Sequence, residues 1–210
     1  MLGRKPNRSR LLDQARQETI TMLEKAQQIF GIAWATLTEG GPDNLISKLD
    51  HDINAGERLV RRLVIEHLTL NPEQDLPSSL TLVSIIHDVE RLGDYAKSIV
   101  ELRQWSSDEL AMDGLGGQCR EIQGEIEPMF QMAIDGIRDD DEAKAADLMA
   151  RHREVKAKSD AITEASLAGG SDHPDVLPAL ASRYLRRISA HLSNVVSSIV
   201  NPFDLISRND

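Results

Sequence analysis

The sequence has few aromatic residues, a single cysteine and no long apolar run. Aromatic residues make up 3% of the 210 positions, although hydrophobic residues of all kinds reach 40%. Strands of sandwiches and barrels are rich in aromatic and β-branched residues, so this composition favours an all-α protein. Because Cys119 is alone, an internal disulfide and a multi-cysteine zinc site are excluded, which fits a reducing compartment.

Membrane and secretion signals are also lacking. No stretch approaches the ~18 apolar residues of a transmembrane helix, and the first residues lack the apolar core of a signal peptide. These absences predict a soluble, cytoplasmic protein. The formal net charge of −10 argues against nucleic acid as a partner, since its binding needs a cationic surface.

One segment departs from the acidic balance. Residues 4–16 contain five basic side chains and only one acid, Asp13. This basic N-terminal arm is either a solvated tail or a contact for an anionic membrane surface.

Motifs of common enzymes are missing as well. The chain has no HExxH, no Walker A loop, no GxSxG elbow and no Glu-x-x-His pair of the kind found in di-iron bundles. The glycine pairs stand where helices are predicted to end. We therefore predict a protein that is not an enzyme and has no catalytic residues.

Helix-breaking residues divide the chain into six long segments with helical apolar spacing. Asp43 or Asn44 is predicted to cap the second helix and Asp75 the third. Pro128 predicts a kink or a late start in the fourth. The predicted helices cover residues 9–38, 45–70, 76–105, 119–138 and 142–167, and the sixth opens at residues 172–174 and ends near residue 201.

The two halves of the chain are similar. A shift of 96 residues aligns apolar positions of the third and sixth helices and places Arg91 on Arg187. Both helices open with Asp-x-Pro, at Asp75 and Asp172. This repeat predicts two tandem three-helix bundles with antiparallel helices. The predicted domains are residues 1–106 with the basic arm and residues 119–210, joined by a linker at 107–118.

The third helix carries a polar stripe. His87, Glu90 and Asp94 are spaced three and four apart, which places them on one face, roughly opposite the apolar positions. Carboxylates at this spacing can bind a hard cation, and an imidazole extends the choice to iron, zinc or manganese. An ordinary solvated helix face is the alternative interpretation.

The run Asp88-Val-Glu-Arg-Leu-Gly-Asp-Tyr-Ala-Lys-Ser-Ile-Val-Glu101 resembles the signature helix of the PhoU family of phosphate-uptake regulators. Residues 183–194 resemble the equivalent helix of the second repeat, and the resemblance extends over roughly residues 10–205. It implies two three-helix bundles in tandem. In some family members the Glu/Asp-xxx-Asp motif of each repeat carries surface iron or zinc clusters.

This chain departs from that motif. Glu90 and Asp94 keep it in the first repeat, but Arg186 and Ala190 replace it in the second. Basic residues, Arg61 and Lys156, also stand where we align a further acid of the family. We therefore expect a metal-poor or metal-free member, in which Arg61 or Arg62 pairs with Glu90 or Asp94.

The resemblance implies a non-enzymatic regulator of phosphate uptake and signalling, with a phosphate transporter ATPase or a phosphate-sensing histidine kinase as partner and with peripheral membrane association through it. One alternative is a metal-binding protein with iron or zinc at His87, Glu90 and Asp94. Another is a helical module that regulates a sodium/phosphate cotransporter in trans. A homodimer stays open. The predicted partner surface comprises Arg61, Asp88, Arg91, Glu101, Arg186, Arg187 and His191, the last at the surface between the repeats.

Overall fold

The computed structural model describes residues 10–106, 109–111, 113–168 and 176–206. Within these ranges the chain is helical and has no strand, which confirms the all-α prediction. No helix in them is long and apolar enough to cross a bilayer. The helices are α1 Arg10–Glu39, α2 Ile46–Leu70, α3 Leu76–Trp105, α4 Gly114–Asp139, α5 Glu142–Ala168 and α6 Val176–Val200, followed by a short 3-10 helix, Phe203–Leu205.

The helices form two three-helix bundles. Helices α1, α2 and α3 pack on one another, as do α4, α5 and α6. The bundles are joined by α3 packing on α6 and by α1 packing on α4. At the second of these contacts the buried rings of Phe30 and Phe130 lie 5.4 Å apart. The predicted architecture is therefore confirmed, while the domain limits placed around residues 107–118 stay a prediction.

The 96-residue repeat is visible in the burial pattern of α3 and α6. Apolar spacing alone predicts these positions, because a helix that packs on two neighbours needs a wide apolar face. In two layers the residues differ in chemistry: Gly93 of α3 corresponds to Ser189 of α6, and Ile86 corresponds to Ser182. The other matched buried pairs include Ile85 with Ala181, Val89 with Leu185, Leu92 with Ile188, Ala96 with Leu192 and Ile99 with Val195.

The predicted cap of α2 is wrong, and that of α3 is confirmed in its position but makes no cap hydrogen bond. Leu45, rather than Asp43 or Asn44, holds the N-cap position of α2, and no side chain caps that helix. Asp75 does precede α3, but its backbone is left-handed, with φ 55°, and its side chain makes no cap hydrogen bond. An N-cap side chain reaches the first amides from an extended backbone, so this conformation removes the cap.

The turn between α4 and α5 provides a side-chain cap for α5. Asp140 closes α4 in a left-handed conformation. Asp141 Oδ1 then accepts hydrogen bonds from the amides of Ala143 at 3.1 Å and Lys144 at 3.0 Å. An acid at this place also complements the positive end of the helix dipole. The predicted start of α6 at residues 172–174 lies outside the described residues, as does residue 9 of the first predicted helix.

Helix α4 begins earlier than predicted, at Gly114 instead of Cys119. A glycine-rich run usually ends a helix, but here it belongs to the first turn. A Cβ at Gly116 would overlap the carbonyl oxygen of Ala111, so the close approach of the preceding chain requires glycine there. Pro128 lies inside α4 on its exposed side, where water can solvate the carbonyl that loses its amide partner.

The second bundle contains a buried histidine, His152, whose side chain lies against α6. Its Nδ1 is 2.9 Å from Ser189 Oγ, and that hydroxyl donates to the carbonyl of Arg186 at 2.9 Å. Nδ1 therefore carries a proton and donates to the hydroxyl oxygen. Burial, followed by the charges of Arg186, Lys156 and Arg153, lowers the pKa of His152 to about 4. The ring is neutral at pH 7.

This depressed pKa predicts a loss of stability in acid. Between pH 6.5 and 4 the unfolded chain binds a proton at this residue and the folded chain does not, so stability falls as pH decreases through that range. The free energy of unfolding should fall by about 2 kcal/mol between pH 7.5 and pH 5 from this group alone.

Urea unfolding at several pH values measures the effect. His152→Gln should remove that part of the pH dependence, whereas His51→Gln, a change on the exposed side of α2, should keep it. Equal slopes for the wild type and His152→Gln would contradict the assignment.

Candidate functional site

The polar stripe of α3 lies along the groove between α2 and α3. His87 Nδ1 is 3.6 Å from Glu90 Oε2. Asp94 is held between two cations, since Arg91 contacts its Oδ2 at 2.9 Å and Lys97 contacts its Oδ1 at 3.0 Å. The spacing in the sequence thus places the acids on one side of the helix, and cations of the same helix offset their charge.

Helix α2 supplies acids to this groove that the sequence analysis missed. Glu57 Oε1 lies 3.8 Å from His87 Nδ1 and 2.8 Å from Arg61. Two helical turns before Glu57 on α2, Asp50 contacts Lys97 of α3 at 2.8 Å. Asp50 and Glu57 are seven residues apart, two turns on one helix face, and this spacing was the signal that could have revealed them.

The structure corrects the expected role of Arg61. We expected Arg61 or Arg62 to pair with Glu90 or Asp94, but Arg61 pairs with Glu57 on its own helix. The position that contributes an acid to the groove is Glu57, one turn before Arg61. A pair spaced i, i+4 on one helix forms at little entropic cost, which explains the local choice.

Glu90 is the least compensated member of the stripe. Its side chain is only 15% exposed, and its Oε2 is buried without a hydrogen-bond partner among the described residues. Burial, and next the charge of Asp94, raises the pKa of Glu90, against the opposing effects of Arg91 and His87. A half-buried carboxylate in this state favours a proton, a cation or a hydrogen-bond donor from a partner.

The stripe does not have the arrangement of a metal centre. Across the described ranges, no group of three or more His, Cys, Asp or Glu side chains could hold a metal ion. Both oxygens of Asp94 already contact a cation. As arranged, His87, Glu90 and Asp94 therefore do not form the shared coordination sphere that iron or zinc requires.

The corresponding face of the second bundle has the opposite charge. Positions 96 residues after Glu90 and Asp94 hold Arg186 and Ala190, and Arg186 forms an ion pair with Asp160 of α5. On α5, Arg153 and Lys156 are both exposed. The α5–α6 groove is therefore cationic, whereas the acids of the α2–α3 groove are offset by cations.

Asp88 and His191 lie inside the junction between α3 and α6. Asp88 Oδ1 accepts hydrogen bonds from His191 Nδ1 at 2.7 Å and from Asn194 Nδ2 at 2.8 Å. The side chains of Asp88 and His191 are 13% and 11% exposed. The carboxylate can only accept, so Nδ1 of His191 carries the proton. This placement agrees with the expectation that His191 packs between the repeats.

Aromatic and cationic side chains cover the same junction. The ring of Tyr95 stacks on His191 with centroids 5.3 Å apart. Arg187 donates from Nε to the Tyr95 hydroxyl at 3.0 Å, and its guanidinium lies 5.2 Å from the ring centroid. Such a contact is worth about 0.5–1 kcal/mol at a partly exposed site.

The predicted partner residues thus divide into two groups. Asp88, Arg187 and His191 contribute to the junction, with Arg187 at its exposed edge. The side chains available on the outer faces are Arg61, Arg91 and Glu101 on the first bundle, all exposed, and the partly exposed Arg186 on the second.

Comparison with known proteins agrees with this fold. Residues 12–102, which span the first bundle, match the family model described as PhoU domain. No match was found among curated proteins. The second bundle, with its reversed charges, lies outside the matched range.

Solved structures extend the likeness to both bundles. PhoU from Pseudomonas aeruginosa matches with a TM-score of 0.78 at 19% identity, covering 90% of this chain and 95% of the other. The phosphate transport system regulatory protein PhoU from Streptococcus pneumoniae matches with a TM-score of 0.77 at 16% identity, covering 95% and 96%. The chain therefore contains a PhoU domain at residues 12–102, and its two bundles together have the fold of the solved PhoU proteins.

Proposed function

We propose that this protein is a non-enzymatic regulator of phosphate uptake or phosphate signalling that acts by contacting a phosphate transporter ATPase or a phosphate-sensing histidine kinase. The PhoU domain at residues 12–102 supports a regulatory role in phosphate uptake. The observation that carries the choice of protein contact is the α2–α3 groove. There the family motif survives at Glu90 and Asp94, and the chain's own cations offset its charge.

An exposed surface of balanced charges suits recognition of another protein. Arg91 is 45% exposed and Arg61 is 49% exposed, so both can exchange their present partners for those of a bound protein. Exposed ion pairs of this kind contribute only about 0–1 kcal/mol, so their rearrangement costs little. Complementary charge at such a surface mainly sets specificity and association rate.

The polar groups that resemble catalytic ones support a regulator rather than an enzyme. Burial raises the pKa of the Cys119 thiol to about 12, so it is not a nucleophile near neutral pH. Ser189 and His152 are in contact, but the hydroxyl donates to a backbone carbonyl and both side chains are buried. For the serine to act as a nucleophile, its hydroxyl would have to donate the hydrogen bond to the imidazole, which is the opposite direction.

A second candidate function is metal binding at the stripe. It is favoured by the buried, unpartnered Oε2 of Glu90, with His87 at 3.6 Å, and by the presence of Glu57 within 3.8 Å of the same imidazole. Against it stand the cations Arg91 and Lys97, which hold Asp94. We propose that this protein binds no transition metal at the stripe.

Recovery of partners from native membranes tests the regulatory function. The tagged full chain should enrich a phosphate transporter subunit or a phosphate-sensing kinase, to an extent that differs between phosphate-rich and phosphate-poor growth. Arg91→Glu combined with Glu101→Lys reverses two charges beside the motif without changing the net charge. It should lower recovery by about tenfold, as expected when two or three interfacial charge contacts are lost.

The matched control is Arg120→Glu with Glu121→Lys, on the exposed side of α4, which should leave recovery unchanged. Absence of both transporter and kinase in either growth condition would argue against the proposed function. Equal loss of partner recovery with both double variants would show that the α2–α3 groove is not the contact surface.

Elemental analysis tests the absence of a metal. Protein purified without chelator should contain no stoichiometric iron or zinc, and Glu90→Ala should not change its metal content. A stoichiometric metal that disappears in Glu90→Ala, but persists in the exposed-site control Glu101→Ala, would contradict the proposal and support the second candidate.

A further inference from the structure

The α5–α6 face of the second bundle carries a cluster of cations. Arg153 and Lys156 lie on α5, one turn apart, and Arg183 and Arg186 lie on α6, also one turn apart. The two helices are held together beside them by the contact between His152 and Ser189. The cluster therefore extends over a face about two helical turns long, or roughly 10 Å.

Few acids offset this cluster. Asp160 forms an ion pair with Arg186. Arg153, Lys156 and Arg183 are exposed and make no ion pair with a described residue. The buried imidazole of His152 senses the same positive potential, since Arg186, Lys156 and Arg153 all lower its pKa. The three cations thus contribute to one positive local potential.

On α6 the cluster replaces two residues of the stripe of the first bundle. His87 and Glu90 correspond, 96 residues later, to Arg183 and Arg186. The rest of the chain is acidic, with a net charge of −10. A local cationic face on an acidic protein directs anionic groups to that face and not to the remainder of the surface.

We propose that the α5–α6 face docks an acidic segment of a protein partner, with Arg153, Lys156 and Arg183 contacting its carboxylates and Arg186 exchanging Asp160 for one of them. Carboxylates on successive turns of a helix are about 5–6 Å apart, which suits cations one turn apart on each of two helices. A single phosphate ion would reach only part of the cluster, and a membrane or nucleic acid would repel the acidic remainder of the chain. The inference rests on the proposed function only in taking a protein as the ligand.

Binding of a model peptide to the full chain tests the face. The probe is a fluorescent 16-residue helical peptide with glutamate at every fourth position, and its counterpart has glutamine at those positions. The glutamate peptide should bind, more weakly as salt is raised, and the glutamine peptide should not. Arg153→Gln, Lys156→Gln and Arg183→Gln together should weaken binding about tenfold, because each exposed charge pair contributes a modest part of the affinity.

The matched control removes the same charge from exposed positions of the first bundle, with Lys48→Gln, Arg58→Gln and Arg62→Gln together. It should weaken binding less than twofold. Equal weakening by both triple variants, or no binding of the glutamate peptide, would overturn the inference. A pair variant, Lys156→Gln with Arg183→Gln, should give an intermediate loss, which keeps the test valid if the triple variant folds poorly.

Two competing ligands, inorganic phosphate and anionic vesicles, are tested in separate binding measurements. Inorganic phosphate that displaces the peptide at equal concentration would show a small-anion site and overturn the docking of a segment. Vesicles of phosphatidylglycerol that bind the chain through the same three cations, while the peptide does not, would overturn it in favour of a membrane. A wild type that binds the peptide yet recovers no transporter or kinase would refute the proposed function and leave the acidic-segment face standing.

Discussion

The packing of α3 against α6 is the contact on which the rest of the structure depends. It joins the two bundles within one continuous hydrophobic core, and it contains a carboxylate, Asp88, that is largely withdrawn from water. Burying a charge is costly unless it is hydrogen-bonded. His191 and Asn194 supply two hydrogen bonds to one oxygen, and only one register of the two helices provides both.

This junction determines where the two outer grooves lie. Helix α3 contributes Asp88 to the junction and, on another face, Glu90 and Asp94 to the α2–α3 groove. Helix α6 contributes His191 to the junction and Arg186 to the α5–α6 groove. A shift of one helix along the other would therefore move both charged faces. The duplicated fold thus presents a groove of paired charges and a cationic groove at positions fixed relative to each other, which is a suitable arrangement for two contacts with one partner or with two.

Much of the fold could be predicted from the sequence because it depends on helical periodicity. Apolar residues at helical spacing identify the buried faces of α3 and α6, and the 96-residue shift identifies the repeat. The start of α4 was not predictable in this way. Gly116 appears as a helix breaker in the sequence, and only the position of Ala111 in three dimensions shows why glycine is needed inside the helix.

The candidate site was predictable only where its members share one helix. His87, Glu90 and Asp94 follow from their spacing on α3, whereas Glu57 depends on how α2 is placed against α3. The partner of Arg61 was mistaken for the same reason, since a cation between two acids cannot be assigned without the distances. The cationic face likewise combines residues of two helices, α5 and α6, so the sequence of either helix alone does not reveal it. Its difference from the first bundle becomes clear when equivalent positions of α3 and α6 are compared.

The central claim is that the contact between Asp88 and His191 holds the bundles in this register. A double-mutant cycle with Asp88→Ala and His191→Ala, measured by urea unfolding at pH 7, tests it most directly. The account predicts a coupling free energy of about 1.5–3 kcal/mol, as for a hydrogen bond that involves a charged group. Additive effects of the two substitutions, with a coupling near zero, would contradict it.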